Sequence, residues 1–140
     1  HIGTAFAGLS RELQVECSDA SKHRVLLAGG ETTVTVIGKG RGGRNHELAL
    51  SASLRLRGME GISLVSVGTD GVDGLSDAAG AIVDGSTINH ALELDLNPLV
   101  FLADNDSHTF FSTIGDGIMT GPTGTNVNDI LFIVNLKGKE

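Results

Sequence analysis

The run that most limits how this chain can fold is Gly38–Arg44, seven residues in which four glycines are interspersed with three cations. Before it, ETTVTVIG (31–38) alternates in strand fashion, with Thr33, Thr35 and Ile37 opposing Val34 and Val36. After it, Leu48, Leu50, Ala52, Leu54 and Leu56 make a helix apolar enough to be well buried, with Gly58 as its stop. A strand, a glycine turn and a buried helix in direct succession commit the chain to layered packing. Glycine lets backbone N–H groups approach a ligand, and a helix N-terminus adds unpaired donors and partial positive charge. The combination favours an anion, a phosphate or a carboxylate. Lys39, Gly40, Arg41, Gly42, Gly43 and Asn45 are therefore candidate contacts. Arg44, at the junction, is the strongest, because a guanidinium can grip such a group through two parallel bonds. The plainer alternative is a glycine loop with solvated cations. No Lys-Ser/Thr pair follows the last glycine, so this is not a Walker loop, and the spacing is not that of a dinucleotide fingerprint. Asn45 reads as the helix N-cap and Glu47 as a partner of the helix dipole, a structural role.

Periodicity places the remaining elements. Ile2, Phe6, Leu9 and Leu13 share one helical face, and 18–23 is a polar connector. RVLLAGG (24–30), ISLVSVG (62–68), AAGAIVD (78–84) and VNDILFIVNL (127–136) read as strands. Ser86 caps a helix running to Leu94, Asn97–Pro98 breaks the chain beyond it, and Asp106 or Ser107 caps a helix over 108–114. Fourteen of the 20 glycines fall at 29–30, 38–43, 68–80 and 115–124 and so mark loops between ordered elements. Because strands alternate with helices, the expected fold is an α/β layered domain with a mixed, largely parallel sheet and flanking helices. At 140 residues it is one domain.

A net charge of −7, with no Trp or Tyr and five Phe not interleaved with cations, argues against nucleic acid as a partner. No apolar run reaches the ~18 residues of a membrane span. Cys17, with only Lys22 as a nearby cation, reads as inert, and a lone cysteine fits a reducing compartment, the cytoplasm or an organelle matrix. The histidines at 1, 23, 46, 90 and 108 lack metal-ligand spacing, and no G-x-S-x-G elbow is present.

Two further loops could carry chemistry. GTDGVDGLSDAAGA (68–81) comes after the expected central strand, where open α/β sheets place ligands. Thr69, Asp70 and Asp73 are candidate contacts there, and Asp70, Asp73 and Asp77 are candidate holders of Mg²⁺. Aspartates shaping consecutive turns are the competing explanation, favoured slightly for any single one. GPTGTNVND (121–129) offers Thr123, Gly124, Thr125 and Asn126 to phosphate or hydroxyl oxygens, against a plain turn into the last strand. His108, beside two Phe, reads as a packed helix residue.

In this order, GGETTVTVIGKGRGGRNHELAL, SVGTDGVDGLSDAAGAIVDG, LADNDSHTFFSTIGD and TGPTGTNVNDI resemble the MOFRL domain, over about residues 25–135. That is the C-terminal domain of glycerate kinases acting on the 2-hydroxyl, a family also named for hydroxypyruvate reduction. The resemblance implies a two-domain kinase using ATP and Mg²⁺, with glycerate as substrate and the active site in the interdomain cleft. A larger Rossmann-like N-terminal domain would carry a functional lysine. The family's functional arginine maps onto GRGGRN, at Arg44, with Arg41 as the second choice. His46 departs from the pattern, where Gln is expected. By this reading, residues 1–24 are a helix and connector left from the link to a missing N-terminal domain. Residues 25–140 are then the MOFRL-like domain, inactive alone, and a homo-oligomer is compatible with it. The rival readings are a nicotinamide-dependent hydroxypyruvate reductase and a non-catalytic anion-binding or interaction domain.

Overall fold

The computed structural model describes residues 2–16 and 23–136. Cys17, Lys22 and most of the connector lie outside them. The elements in chain order are α1 (Ile2–Glu16), β1 (Arg24–Gly30), α2 (Arg44–Leu56), β2 (Ile62–Gly68), β3 (Gly80–Asp84), α3 (Thr87–Glu93), α4 (Pro98–Ala103), α5 (Ser107–Ile114), β4 (Gly117–Ile118) and β5 (Asp129–Asn135).

The five strands form one sheet in the order β1-β5-β2-β3-β4. Every pairing is antiparallel, which corrects the expectation of a largely parallel sheet. The cause lies in β5. Strands β1 and β2 point the same way and are joined through α2, as in a parallel crossover, but the last strand inserts between them. Val134 pairs with both Val25 and Ser63, and Phe132 with both Leu27 and Val65. Strand–helix–strand alternation thus reported the crossover correctly and said nothing of a strand arriving from far downstream.

Segment 31–38 does not form the strand that its alternation suggested. The chain leaves β1 at Gly30, and the amides of Ile37 and Gly38 bond the Asn105 side chain at 2.8 and 2.9 Å in place of a ladder. Asn97–Pro98 starts a helix where a break was expected. Asn97 Oδ1 accepts from Leu99 N at 3.1 Å and Pro98 takes the first helical position, where its missing N–H costs nothing.

The helices lie over one face of the sheet, α1, α2 and α5 against the strands and α3 and α4 packed on those helices. A single core joins Ala7 of α1, Leu48, Leu50 and Leu56 of α2, Phe110 and Phe111 of α5, and the sheet residues Leu64, Val83, Leu131 and Ile133. Each large side chain buried there contributes about 1.5–3 kcal/mol. The other face carries Val25, Leu27, Ile82, Val65 and Phe132, none of them in that core. The fold is a two-layer α/β domain whose loops at one end of the sheet meet at the start of α2.

Candidate functional site around Arg44

The N-terminus of α2 is built from a distance. Its N-cap position is Gly43, not Asn45, and Gly43 offers no side chain. The cap comes instead from Asp73 in the β2–β3 loop. Its carboxylate accepts the amide of Asn45 at 3.1 Å and that of His46 at 2.8 Å, with His46 Nδ1 2.5 Å away. Asn45 is equally committed: Nδ2 reaches Asp73 at 3.3 Å, and Oδ1 accepts from Ser66 Oγ at 2.6 Å. Burial alone would raise the Asp73 pKa, but hydrogen bonds from the His46 ring and from the His46 and Asn45 amides prevail and hold it below the usual carboxylate range. A buried negative charge at this position also complements the helix dipole.

The glycine loop is closed against a second acidic segment. Arg41 N donates to Asp106 Oδ1 at 2.8 Å, Lys39 N to Asp104 Oδ1 at 3.0 Å and Gly40 N to the Asp104 carbonyl at 2.9 Å. A Cβ on Gly38 would collide with the Asp104 backbone, and one on Gly40 with Asp106. These glycines therefore admit another part of the same chain. Arg41 and Lys39 are exposed on the rim, with Arg41 Nε 3.4 Å from the Leu75 carbonyl.

Arg44, on the first turn of α2, faces the opening. Its Nε and Nη2 engage Asp129 at 2.5 and 2.9 Å, and Nη1 lies 3.2 Å from Glu31 Oε1. The Asp129 hydrogen bond, outweighing partial burial and aided by the charges of Asp129, Glu31 and Asp73, raises the Arg44 pKa and keeps it cationic. The arginine opens into a cleft of about 360 Å³ lined by Glu31, Val34, Gly42, Glu47, Leu75 and Asn105 among others. A second recess of about 750 Å³ shares Glu31, Arg44, Glu47 and Asn105 and runs to Ile2 and Gly3. Glu47 is partly buried, and burial raises its pKa against the opposing hydrogen bond from Asn105 Nδ2 at 3.2 Å.

The other candidate loops are zipped to each other beside this cleft. Thr123 Oγ1 donates to the Thr69 carbonyl at 2.5 Å, Thr123 N to the Asp70 carbonyl at 3.1 Å, and Thr69 Oγ1 to the Asn128 carbonyl at 2.7 Å. Asp70 Oδ1 accepts from Val72 N at 3.2 Å, and Asn126 Oδ1 from Asn128 N at 3.1 Å. Thr69, Asp70, Thr123, Gly124, Thr125 and Asn126 thus form one ridge that ends at Asp129 and does not line the Arg44 cleft. Asp77 is exposed, with its Oδ1 3.2 Å from His108 Nε2. Among the described residues, no three His, Cys, Asp or Glu are grouped to hold a metal.

Sequence reasoning missed Glu31, Asn105 and Asp129 and gave Glu47 only a dipole role. The one local hint was ADND: Asn105 takes φ 55°, a left-handed conformation that asparagine tolerates better than most residues.

Comparison with known proteins agrees with this architecture. The MOFRL family model matches residues 24–129. The D-glycerate 2-kinase of Thermotoga maritima is 47% identical over 130 residues, 93% of this chain and 31% of that protein. The crystal structure of glycerate kinase from Thermotoga maritima superposes with a TM-score of 0.90 at 46% identity, covering 95% of this chain and 32% of that one. A protein of Agrobacterium vitis, given the name hydroxypyruvate reductase only provisionally, is 40% identical over 95% of this chain and 31% of its own length. The chain spans about a third of these relatives.

Proposed function

The chain belongs to the MOFRL family, and from that premise we propose that it is the C-terminal domain of an ATP-dependent kinase that phosphorylates glycerate on its 2-hydroxyl. In this reading it supplies one wall of an active site and a preceding domain supplies the other, in keeping with a match that spans only 31% of the Thermotoga maritima relative. The observation that carries the proposal is Arg44, a cation fixed at a helix N-terminus and lining a cleft.

Phosphoryl transfer asks the protein mainly for positioning and for neutralising charge on the transferring oxygens. Arg44 would do this by holding the glycerate carboxylate or the transferring phosphoryl group. Lys39 and Arg41 add positive potential at the rim. Gly40, Gly42 and Gly43 let the loop close against Asp106, Ser107 and Asp73, and Asn45 with Asp73 keeps the helix start in place. The ridge of Thr69, Asp70 and Thr123–Asn126 would form a polar flank toward the proposed preceding domain. Mg²⁺ enters as part of the nucleotide cosubstrate. Because Asp73 is already engaged with α2 and no acidic trio converges among the described residues, no step is assigned to the metal on this chain. The working compartment is the cytoplasm or an organelle matrix, and among the described residues no helix is long and apolar enough to cross a membrane.

The test joins the chain to its preceding domain and assays ATP-dependent product by phosphorus NMR, which separates 2-phosphoglycerate from the 3-phosphate. We expect 2-phosphoglycerate, a fall of about 10²–10³ in turnover for Arg44→Ala, and no turnover by the 140-residue chain alone. Exclusive formation of the 3-phosphate, or consumption of NADH with hydroxypyruvate and no phosphorylation, refutes the reading.

A further inference from the structure

Arg44 touches two carboxylates, and the two are not equivalent. Asp129 takes Nε and Nη2 together, at 2.5 and 2.9 Å, so the forked edge that suits an external carboxylate or phosphate is committed inside the chain. The Asp129 side chain is only 10% exposed. It sits at the first position of β5, paired with Gly30 on one side and Gly68 on the other, so no neighbouring side chain stands beside it in the sheet. Glu31 meets the remaining nitrogen, Nη1, through a single contact of 3.2 Å. Its side chain is 55% exposed and belongs to the segment after β1 that joins no ladder. Both Glu31 and Arg44 line the cleft, whereas Asp129 does not.

We propose that Glu31 is a resident counter-anion holding the seat on Arg44 Nη1 that a ligand's carboxylate or phosphate oxygen takes, and that Asp129 is the positioning residue that aims that nitrogen. The proposal rests on the reading of Arg44 as the ligand-gripping residue and adds how it grips: end-on through Nη1, with the fork turned inward. Binding is then an exchange of one anion for another at Nη1, while Asp129 keeps Nε and Nη2 paired throughout. An exposed single-contact pair contributes little and is readily displaced. The two-pronged, nearly buried pair is not, because breaking it strands a desolvated charge. The Glu31 side chain, 55% exposed and on a segment outside the sheet, can swing toward solvent, whereas Asp129 is fixed by hydrogen-bonded strands on both sides.

The assignment makes two charge-neutralising substitutions act in opposite directions. On charge alone, removing either carboxylate strengthens anion binding. Under the proposal, Glu31→Gln tightens inorganic phosphate binding by about 3- to 10-fold, because the competitor is gone. Asp129→Asn weakens it by a similar factor although a negative charge has been removed, since the guanidinium loses its anchor. Asp129→Glu, which keeps the carboxylate, binds phosphate more tightly than Asp129→Asn. The experiment titrates phosphate into the 140-residue chain and follows the Arg44 Nε–Hε NMR signal, with circular dichroism reporting the fold of each variant. Glu31→Gln retains an exposed polar side chain, so its arm stands even if Asp129→Asn unfolds. Tightening by both substitutions overturns the proposal, as does unchanged affinity in Glu31→Gln or no binding by wild type and Glu31→Gln up to about 10 mM. The assay is independent of turnover. A parent protein that makes no 2-phosphoglycerate while the opposite signs hold removes the kinase reading and leaves this one in place.

Discussion

At the scale of single residues, two carboxylates near α2 have opposite energetics. Asp73 is stabilised as an anion by the His46 ring and two backbone amides, so its folded pKa lies below the unfolded one. Its contribution is complete above the unfolded value of about 3.9 and is lost as pH falls through the folded value. Asp73→Asn keeps the shape but puts an NH₂ where one of the amide donors needs an acceptor. We expect a loss of about 2–4 kcal/mol in denaturant unfolding at pH 7, and a loss under about 0.5 kcal/mol would show that the cap is dispensable. Glu47 shows the reverse: burial raises its folded pKa. Its contribution is complete below the unfolded value of about 4.3 and declines as pH rises through the folded value. Glu47→Gln removes that decline, and its amide oxygen can still accept from Asn105. The variant should therefore be at least as stable as wild type at pH 7 and gain no advantage at pH 4, as read from thermal melts at both. Lower stability of Glu47→Gln at pH 7 contradicts this. If the same substitution lowers turnover in the two-domain kinase proposed above, Glu47 has a role beyond its position at the dipole.

At the scale of elements, the glycine loop owes its composition to the segment packed against it. A Cβ on Gly42 would come within 2.5 Å of Ser107 Oγ, a buried hydroxyl with no hydrogen-bond partner among the described residues. Gly42→Ala is expected to cost about 1–3 kcal/mol by overpacking, Ser107→Ala to be nearly neutral, and the double variant to recover most of the loss. Gly38→Ala meets the backbone of Asp104 and should have no such rescue. A double-mutant cycle in unfolding free energy decides it, and additive losses at Gly42 and Ser107 refute the contact. The same loop shows what a sequence can and cannot display. Periodicity placed α2, β2 and β5 because each buries a regular face. The glycines announced that something comes close, but not whether it is a phosphate or residues 104–106 of the same chain, since sequence spacing carries no record of long-range approach. Arg44 was singled out from its place between loop and helix, and it does lie on the first turn of α2 beside a cleft. Its partners Glu31 and Asp129, 13 residues before it and 85 after it, come together only once β5 lies beside β1. The alternation of 31–38 misled for a related reason: at its end the amides of Ile37 and Gly38 had the side chain of Asn105 available as an alternative to a ladder.

At the scale of the whole molecule, the insertion of β5 between β1 and β2 both corrects the expected topology and creates the site. It carries Asp129 to the end of the sheet where α2 begins, and it brings the Thr123–Asn126 turn against Thr69 and Asp70. It also leaves a molecule with all helices on one side. Across the other face the register aligns Leu27, Phe132, Val65 and Ile82 in one row over four strands. Leu27 is 65% exposed and Ile82 41%, with Val25 at 61% beside them. An apolar row of this kind is a larger liability than scattered surface residues, and among the described residues β1 is the edge strand next to it. The liability should be separable from stability, because these side chains stand outside the core. Replacing Val25 and Leu27 together by Thr puts a β-branched residue suited to a strand at both positions while removing most of the apolar surface at that edge. We expect markedly lower binding of a hydrophobic fluorescent dye by the 140-residue chain and a melting temperature within a few degrees of wild type. Unchanged dye binding would mean that the row is not accessible in solution. A collapse in melting temperature would mean that β1 depends on its outward side chains for pairing with β5, and that the domain's stability is not confined to the helix-covered layer.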